Sequence, residues 1–156
     1  MDVPRQTQPS DLTLEEAKEK ENQWICVVIE SPHSGTPAQM KRDMQYAICA
    51  MRDCLRRGEA PFASHFLYTH APTAVCGAGN DNEQTVYVGR KAAIEAGLAW
   101  GTRADKTVVY QDFGITRGMR YGIESAKKAN REIEYRTLPT IAQQLVQTER
   151  AEREKK

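Results

Sequence analysis

Three stretches of this chain hold side chains whose types and spacing suit binding or catalysis. The first is Ser31-Pro32-His33-Ser34-Gly35, which follows an apolar run and precedes a helix start. Unpaired backbone N–H groups and the helix dipole favour an anion at such a junction. The second is Ser64-His65, where the imidazole is suited to orient a ligand, to move a proton, or to hydrogen-bond a loop. The third runs from Asp112 to Met119, with Thr116 as a helix cap, Arg117 as a partner for phosphate and Gly118 allowing close approach. Each has a plainer reading as a capped turn on a solvated surface. Neither the G-x-x-x-x-G-K-[ST] loop of triphosphate sites nor the G-x-G-x-x-G turn of dinucleotide folds is present.

The carboxylates open a further possibility. Glu30, Asp81, Glu83, Glu95, Asp105, Asp112 and Glu124 lie in or near the predicted loops and helices. Cleaving an N-glycosidic bond passes through an oxocarbenium-like state, which a carboxylate against the anomeric carbon stabilises or captures. Asp112 sits at a predicted strand end, and Glu124 two turns into the helix that follows. No Cys, His or acidic cluster has metal-ligand spacing, so no metal site is expected. The cysteines, Cys26, Cys49, Cys54 and Cys76, include no C-x-x-C pair and read as buried reduced thiols of a cytoplasmic protein.

The elements that must position these groups follow from periodicity. Trp24 to Ile29 is a β-branched run suited to a strand buried on both faces. Thr36 and Pro37 open a helix whose stripe is Met40, Met44, Ile48, Met51 and Leu55, closed by Gly58. Ala60 to Ser64 reads as a second strand. Glu83 to Thr102 reads as a helix with Val86, Ala93, Gly97 and Leu98 inward, its small residues implying close packing. Lys106–Tyr110 is a third strand. Thr116 to Asn130 is a helix with Met119, Ile123 and Ala126 on one stripe. Ile133–Tyr135 is a fourth strand, and Leu138 to Lys156 a last helix whose end beyond Thr148 is charged and solvated. This alternation predicts an α/β fold, a Rossmann-like, doubly wound, mostly parallel sheet flanked by helices. Its ligands bind beyond the carboxyl ends of the strands.

With 156 residues, the chain is sized for one domain. The reading is a flexible arm over 1–22, perched before a domain over 23–148, and a charged tail over 149–156. The stretch from Leu67 to Asn82 is long enough to act as a lid or partner loop. The 22 basic and 21 acidic residues leave a net charge of +1, which gives no global attraction for nucleic acid or an anionic membrane. No apolar run reaches the length of a membrane span, and residues 1–23 lack a charged-then-apolar leader pattern.

From Ile25 to Arg136 the chain resembles the nucleoside 2-deoxyribosyltransferase-like superfamily, in particular a small branch found in phages and bacteria. The stretches that carry this are V-V-I-E-S-P-H-S-G, A-P-F-A-S-H-F-L-Y-T, G-R-K-A-A-I-E-A-G-L-A-W and A-D-K-T-V-V-Y-Q-D-F-G-I-T-R-G-M-R-Y-G-I-E-S-A-K-K. The resemblance implies a homo-oligomer with no metal or organic cofactor, acting on a nucleoside, a nucleotide or a nucleotide-derived molecule. By position it matches Thr116 to a phosphate-holding serine and Ser31 and Gly35 to the family's first loop; with the local reading, the candidate ligand contacts are Ser31, Pro32, His33, Ser34, Gly35, His65, Arg90, Thr116, Arg117, Gly118 and Met119. Asp112 lies near the family's assisting aspartate. The family's glutamate nucleophile lies four residues before the small residue matched by Ala126, and that position here is Gly122. Glu124 is displaced from it by about 200° around a helix turning about 100° per residue. Two readings follow. Either an N-glycosidase or deoxyribosyltransferase has moved its chemistry to Glu124 or Glu95, or the protein binds a nucleotide or nucleotide signal without cleaving it, as a phage protein sequestering a defence signal would.

Overall fold

The computed structural model describes residues 15–16, 23–68 and 90–155. Outside them fall most of the expected arm and of the 67–82 loop, together with His70, Cys76, Asp81, Glu83 and Val86. The elements are β1 (Ile25–Glu30), α1 (Pro37–Arg56), β2 (Glu59–Phe62), α2 (His65–Tyr68), α3 (Arg90–Gly101), β3 (Lys106–Tyr110), α4 (Arg117–Lys128), β4 (Glu132–Arg136) and α5 (Pro139–Glu154). The strands form one parallel sheet in the order β2-β1-β3-β4. The chain leaves β1 toward β2 and then returns to the other side with β3. The β1/β3 boundary is therefore the point where a crevice opens beyond the strand ends.

The register sets which side chains share a face. Val28 pairs with Thr107 and Glu30 with Val109. Alternation puts Val27, Ile29, Val108 and Tyr110 on the opposite face. There they form the larger core with Tyr46, Ala50 and Cys54 of α1. On the Glu30 face, Val109 packs against Met119 and Ile123 of α4. The inward stripe expected of α4 is thus observed, with Met119, Ile123 and Ala126 buried. Both long crossover helices start on threonine caps. Thr36 and Thr116 each accept a hydrogen bond from the backbone three residues on, at 3.3 Å.

Helix α1 turns a different face inward from the one its methionines suggest. Its buried residues are Asp43, Tyr46, Ala47, Ala50 and Cys54, whereas Met40, Ile48 and Leu55 are exposed. Polar bonds select this face. The Tyr46 hydroxyl donates to the Asp112 carboxylate, and Asp43 accepts from the Ser34 N–H at 3.3 Å. Cys26 is likewise exposed rather than buried, because β1 begins two residues before β3 joins it at Val27. The charged end expected to be a solvated tail is the last part of α5, where Glu149 and Glu152 pair with Arg42 and Lys41 of α1.

A buried ion network crosses the α1 face of the sheet. The Arg136 guanidinium makes two 2.7 Å bonds to Glu59 and two 2.8 Å bonds to Glu134. Lys106 reaches both carboxylates at 2.8 Å. Hydrogen bonds from Arg136 hold Glu59 and Glu134 down at about 2. A carboxylate lowered in the folded state adds stability that is complete above its ordinary pKa of 4.5 and is lost as pH falls through about 2. Removing one partner strands a buried charge, which costs about 3–5 kcal/mol. Arg136→Met should therefore lower the unfolding free energy by about that much in urea titrations at pH 7, with a smaller deficit at pH 3. An unchanged urea midpoint would contradict this role.

Candidate functional site

The carboxyl ends of β1 and β2 and the first turns of α4 enclose a pocket of about 170 Å³. β1 supplies Val28 and Glu30, and the chain continues into Ser31 and His33. Ser64 and His65 enter from the end of β2, where the short helix α2 starts at His65. Helix α3 closes the side with Ala93, Ile94, Gly97 and Leu98. It approaches closely because position 97 lacks a side chain; a Cβ there would lie 2.8 Å from the Ser64 Cβ. Helix α4 contributes Thr116, Gly118, Met119, Tyr121 and Gly122.

The closest approach in the pocket is that of Glu30 to Gly122. A Cβ built on Gly122 would overlap Glu30 Oε1 outright. The space opened by this glycine is filled by a carboxyl group from β1. The residue is half-buried in the pocket wall. Among the described residues it has no hydrogen bond or ion pair. Burial pushes its pKa from 4.5 up to about 8, and the nearby positive Arg131 offsets this only in part. Arg131 itself donates from Nε to the Thr107 hydroxyl at 2.9 Å.

The same pocket is lined by a serine–histidine pair. Ser31 Oγ is 3.1 Å from His65 Nε2, and the His65 ring stacks on His33 with centroids 5.9 Å apart. Burial first, and then the neighbouring His33, push His65 down to about 4. At neutral pH the pocket thus combines a protonated acid with an unprotonated imidazole. Environments that drive two pKa values apart in this way define an acid and a base. Among the described residues, no Lys or Arg lines the pocket. Lys91, Glu95 and Arg117 line an adjoining groove that shares Ile94, Leu98 and Tyr121 with it.

The residues expected from the sequence therefore divide. Ser31, His33, His65, Thr116, Gly118 and Met119 line the pocket. Pro32, Ser34 and Gly35 do not. The Ser34 N–H donates to the Asp43 carboxylate at 3.3 Å, so a carboxylate of the chain itself takes the place foreseen for a bound anion. Arg117 and Glu95 stand in the groove, with Glu95 exposed and 3.8 Å from Lys91. Arg90 opens α3, and its side chain lies outside the description. Glu124 is exposed and pairs with Lys127 at 2.9 Å, away from the pocket. Asp112 accepts from the Tyr46 hydroxyl and from the Leu138 N–H, the latter at 2.7 Å, and ties β3 to α1 and α5. Glu30 is the residue the sequence placed least well. Its signals were a charged end to an apolar strand and a glycine at position 122. Among the described residues no group of three or more His, Cys, Asp or Glu is placed to hold a metal ion, and no helix is long and apolar enough to cross a membrane.

The fold is that of an α/β protein of Rossmann-like architecture, with a pocket at the carboxyl edge of its parallel sheet. More particularly, the chain belongs to the DUF7768 family, a domain of unknown function, whose model matches residues 25–136. No curated protein and no solved structure matches it.

The Glu30–Gly122 contact has a direct test. Gly122→Ala gains about 1 kcal/mol of helix propensity but forces an overlap with a carboxyl, and overpacking costs about 1–3 kcal/mol. A net loss of thermal stability is expected, largely recovered when Glu30→Ala is added. A single Gly122→Ala variant as stable as the wild type would contradict the contact.

Proposed function

We propose that the pocket takes the sugar and base of a nucleoside or nucleotide, and that Glu30 is the general acid for cleavage of the bond between them. The observation that carries this reading is the buried, proton-holding Glu30 carboxyl against Gly122. The resemblance to the nucleoside 2-deoxyribosyltransferase-like superfamily expects a glutamate on α4 at that position, and here a carboxyl reaches the same helix turn from β1. The acid donates its proton to the departing base nitrogen. The carboxylate left behind then faces the positive charge developing on the sugar, where it lowers the barrier. A phosphate on the sugar would extend toward the groove bearing Arg117.

Incubating the protein with deoxynucleosides and their 5′-monophosphates, with chromatography for free base, tests this reading. Base release is expected, falling as pH rises through about 8 as Glu30 loses its proton. Glu30→Gln should slow it by about 10²- to 10⁴-fold. No release at high protein concentration would sink the catalytic reading.

A second reading, binding without cleavage, draws on another observation: among the described residues lining the pocket, Glu30 is the one carboxyl. It expects a nucleotide that raises the melting temperature while its glycosidic bond stays intact. A flat thermal-shift screen would exclude it. The homo-oligomer implied by the resemblance is also a proposal, supported by the exposed apolar ridge of Met40, Ile48 and Leu55 on α1. Sedimentation equilibrium at the monomer mass would refute it.

A further inference from the structure

We propose that Ser31 and His65 form a proton relay that readies the attacking water for the sugar carbon, working with the Glu30 acid of the same pocket. This rests on the glycosidic reading above and adds the second half of the reaction to it.

The geometry argues for a relay. The Ser31 side chain is buried, its residue only 6% exposed, and its hydroxyl is within hydrogen-bond distance of His65 Nε2 at 3.1 Å. With the imidazole in its Nδ1–H form, Ser31 donates to Nε2. Its oxygen lone pairs then remain available to a water in the pocket that both residues line. Ser31 directly follows Glu30, so one strand end fixes the acid and the relay relative to each other. The His65 ring is held by its place at the start of α2 and by stacking on His33, with the two rings within 13° of parallel.

The electrostatic surroundings keep this acceptor ready. His33 faces the imidazole from the loop after β1, and a second imidazolium beside it is disfavoured. Glu30 lines the same pocket and lies near enough to Arg131 to feel its charge. Among the described residues of α3 and α4, the lining side chains carry no charge, and the Tyr121 phenol is their one titratable group. Burial and His33 hold His65 at about 4, so the ring is neutral at neutral pH, and in its Nδ1–H form Nε2 accepts a proton.

The proposed step balances. The water oxygen bonds to the anomeric carbon as the carbon–nitrogen bond breaks. The bonding pair goes to the base nitrogen, which takes the Glu30 proton. The water passes a proton to Ser31 Oγ as Ser31 passes its own to His65 Nε2. The step ends with a Glu30 carboxylate and a His65 imidazolium, which exchange a proton with solvent to reset the pocket. The net charge of the protein is unchanged.

The test is the pH–rate profile of base release by the wild type, Ser31→Ala, Ser31→Thr and His65→Gln, with circular dichroism to check folding. The wild type should lose rate below about 4 and above about 8. Ser31→Ala and His65→Gln should each lower kcat by about 10²-fold or more while KM moves far less. His65→Gln should also lose the acid limb but keep the alkaline one, and Ser31→Thr, which retains a hydroxyl, should recover most of the rate. If the folded wild type releases no base, the glycosidic reading falls and the relay with it. If the wild type is active and both Ser31→Ala and His65→Gln keep its kcat and acid limb, the relay alone is overturned. A Ser31→Thr variant as slow as Ser31→Ala would also count against it, since the hydroxyl would not then be the part that matters.

Discussion

A carboxyl group enclosed against a helix backbone is the constraint around which the pocket is organised. Glu30 ends β1 pointing at α4, and that helix can lie where it does only because position 122 has no side chain. The same economy recurs on the other wall, where Gly97 brings α3 against Ser64. Two glycines in two helices thus set the width of one cavity. Arg131 is close enough to temper the cost of burying Glu30 but makes no ion pair with it, so the acid keeps its proton.

The two faces of the sheet treat charge in opposite ways. On the α1 side, buried Arg136 and Glu59 and half-buried Lys106 and Glu134 satisfy one another. The carboxyls there are driven far toward the ionised form. On the α4 side, burial drives the Glu30 carboxyl and the His65 imidazole toward their uncharged forms. Ion pairing holds the first set charged, whereas burial holds the second set neutral, an environment suited to the proposed proton transfers.

Much of this architecture is legible in the sequence. The β3 bounds, the threonine caps at Thr36 and Thr116, and the buried stripe of α4 follow from alternation, cap chemistry and helical periodicity. The buried face of α1 does not. Apolar periodicity favours its methionines, but the tertiary bond of Tyr46 to Asp112 and the small Ala47 and Ala50 decide the rotation. For the site, the strand-end rule locates Ser31, His65 and Thr116. It also singles out Asp112, whose carboxylate is consumed in joining β3 to α1 and α5. Glu30 is hard to single out from sequence because its value lies in a contact with a residue 92 positions away, visible only once α4 is laid on the sheet. The first anion loop is hard to judge for a similar reason, since its Ser34 N–H is used by Asp43 of the following helix.

The account depends most directly on the protonation state of Glu30. Carbon-13 NMR of the protein labelled at glutamate side-chain carboxyls, titrated from pH 3 to pH 10 and assigned with Glu30→Gln, measures it. The expected result is one carboxyl resonance that titrates near pH 8 and disappears in the variant. A Glu30 resonance titrating in the ordinary carboxylate range, near 4.5, would contradict the account.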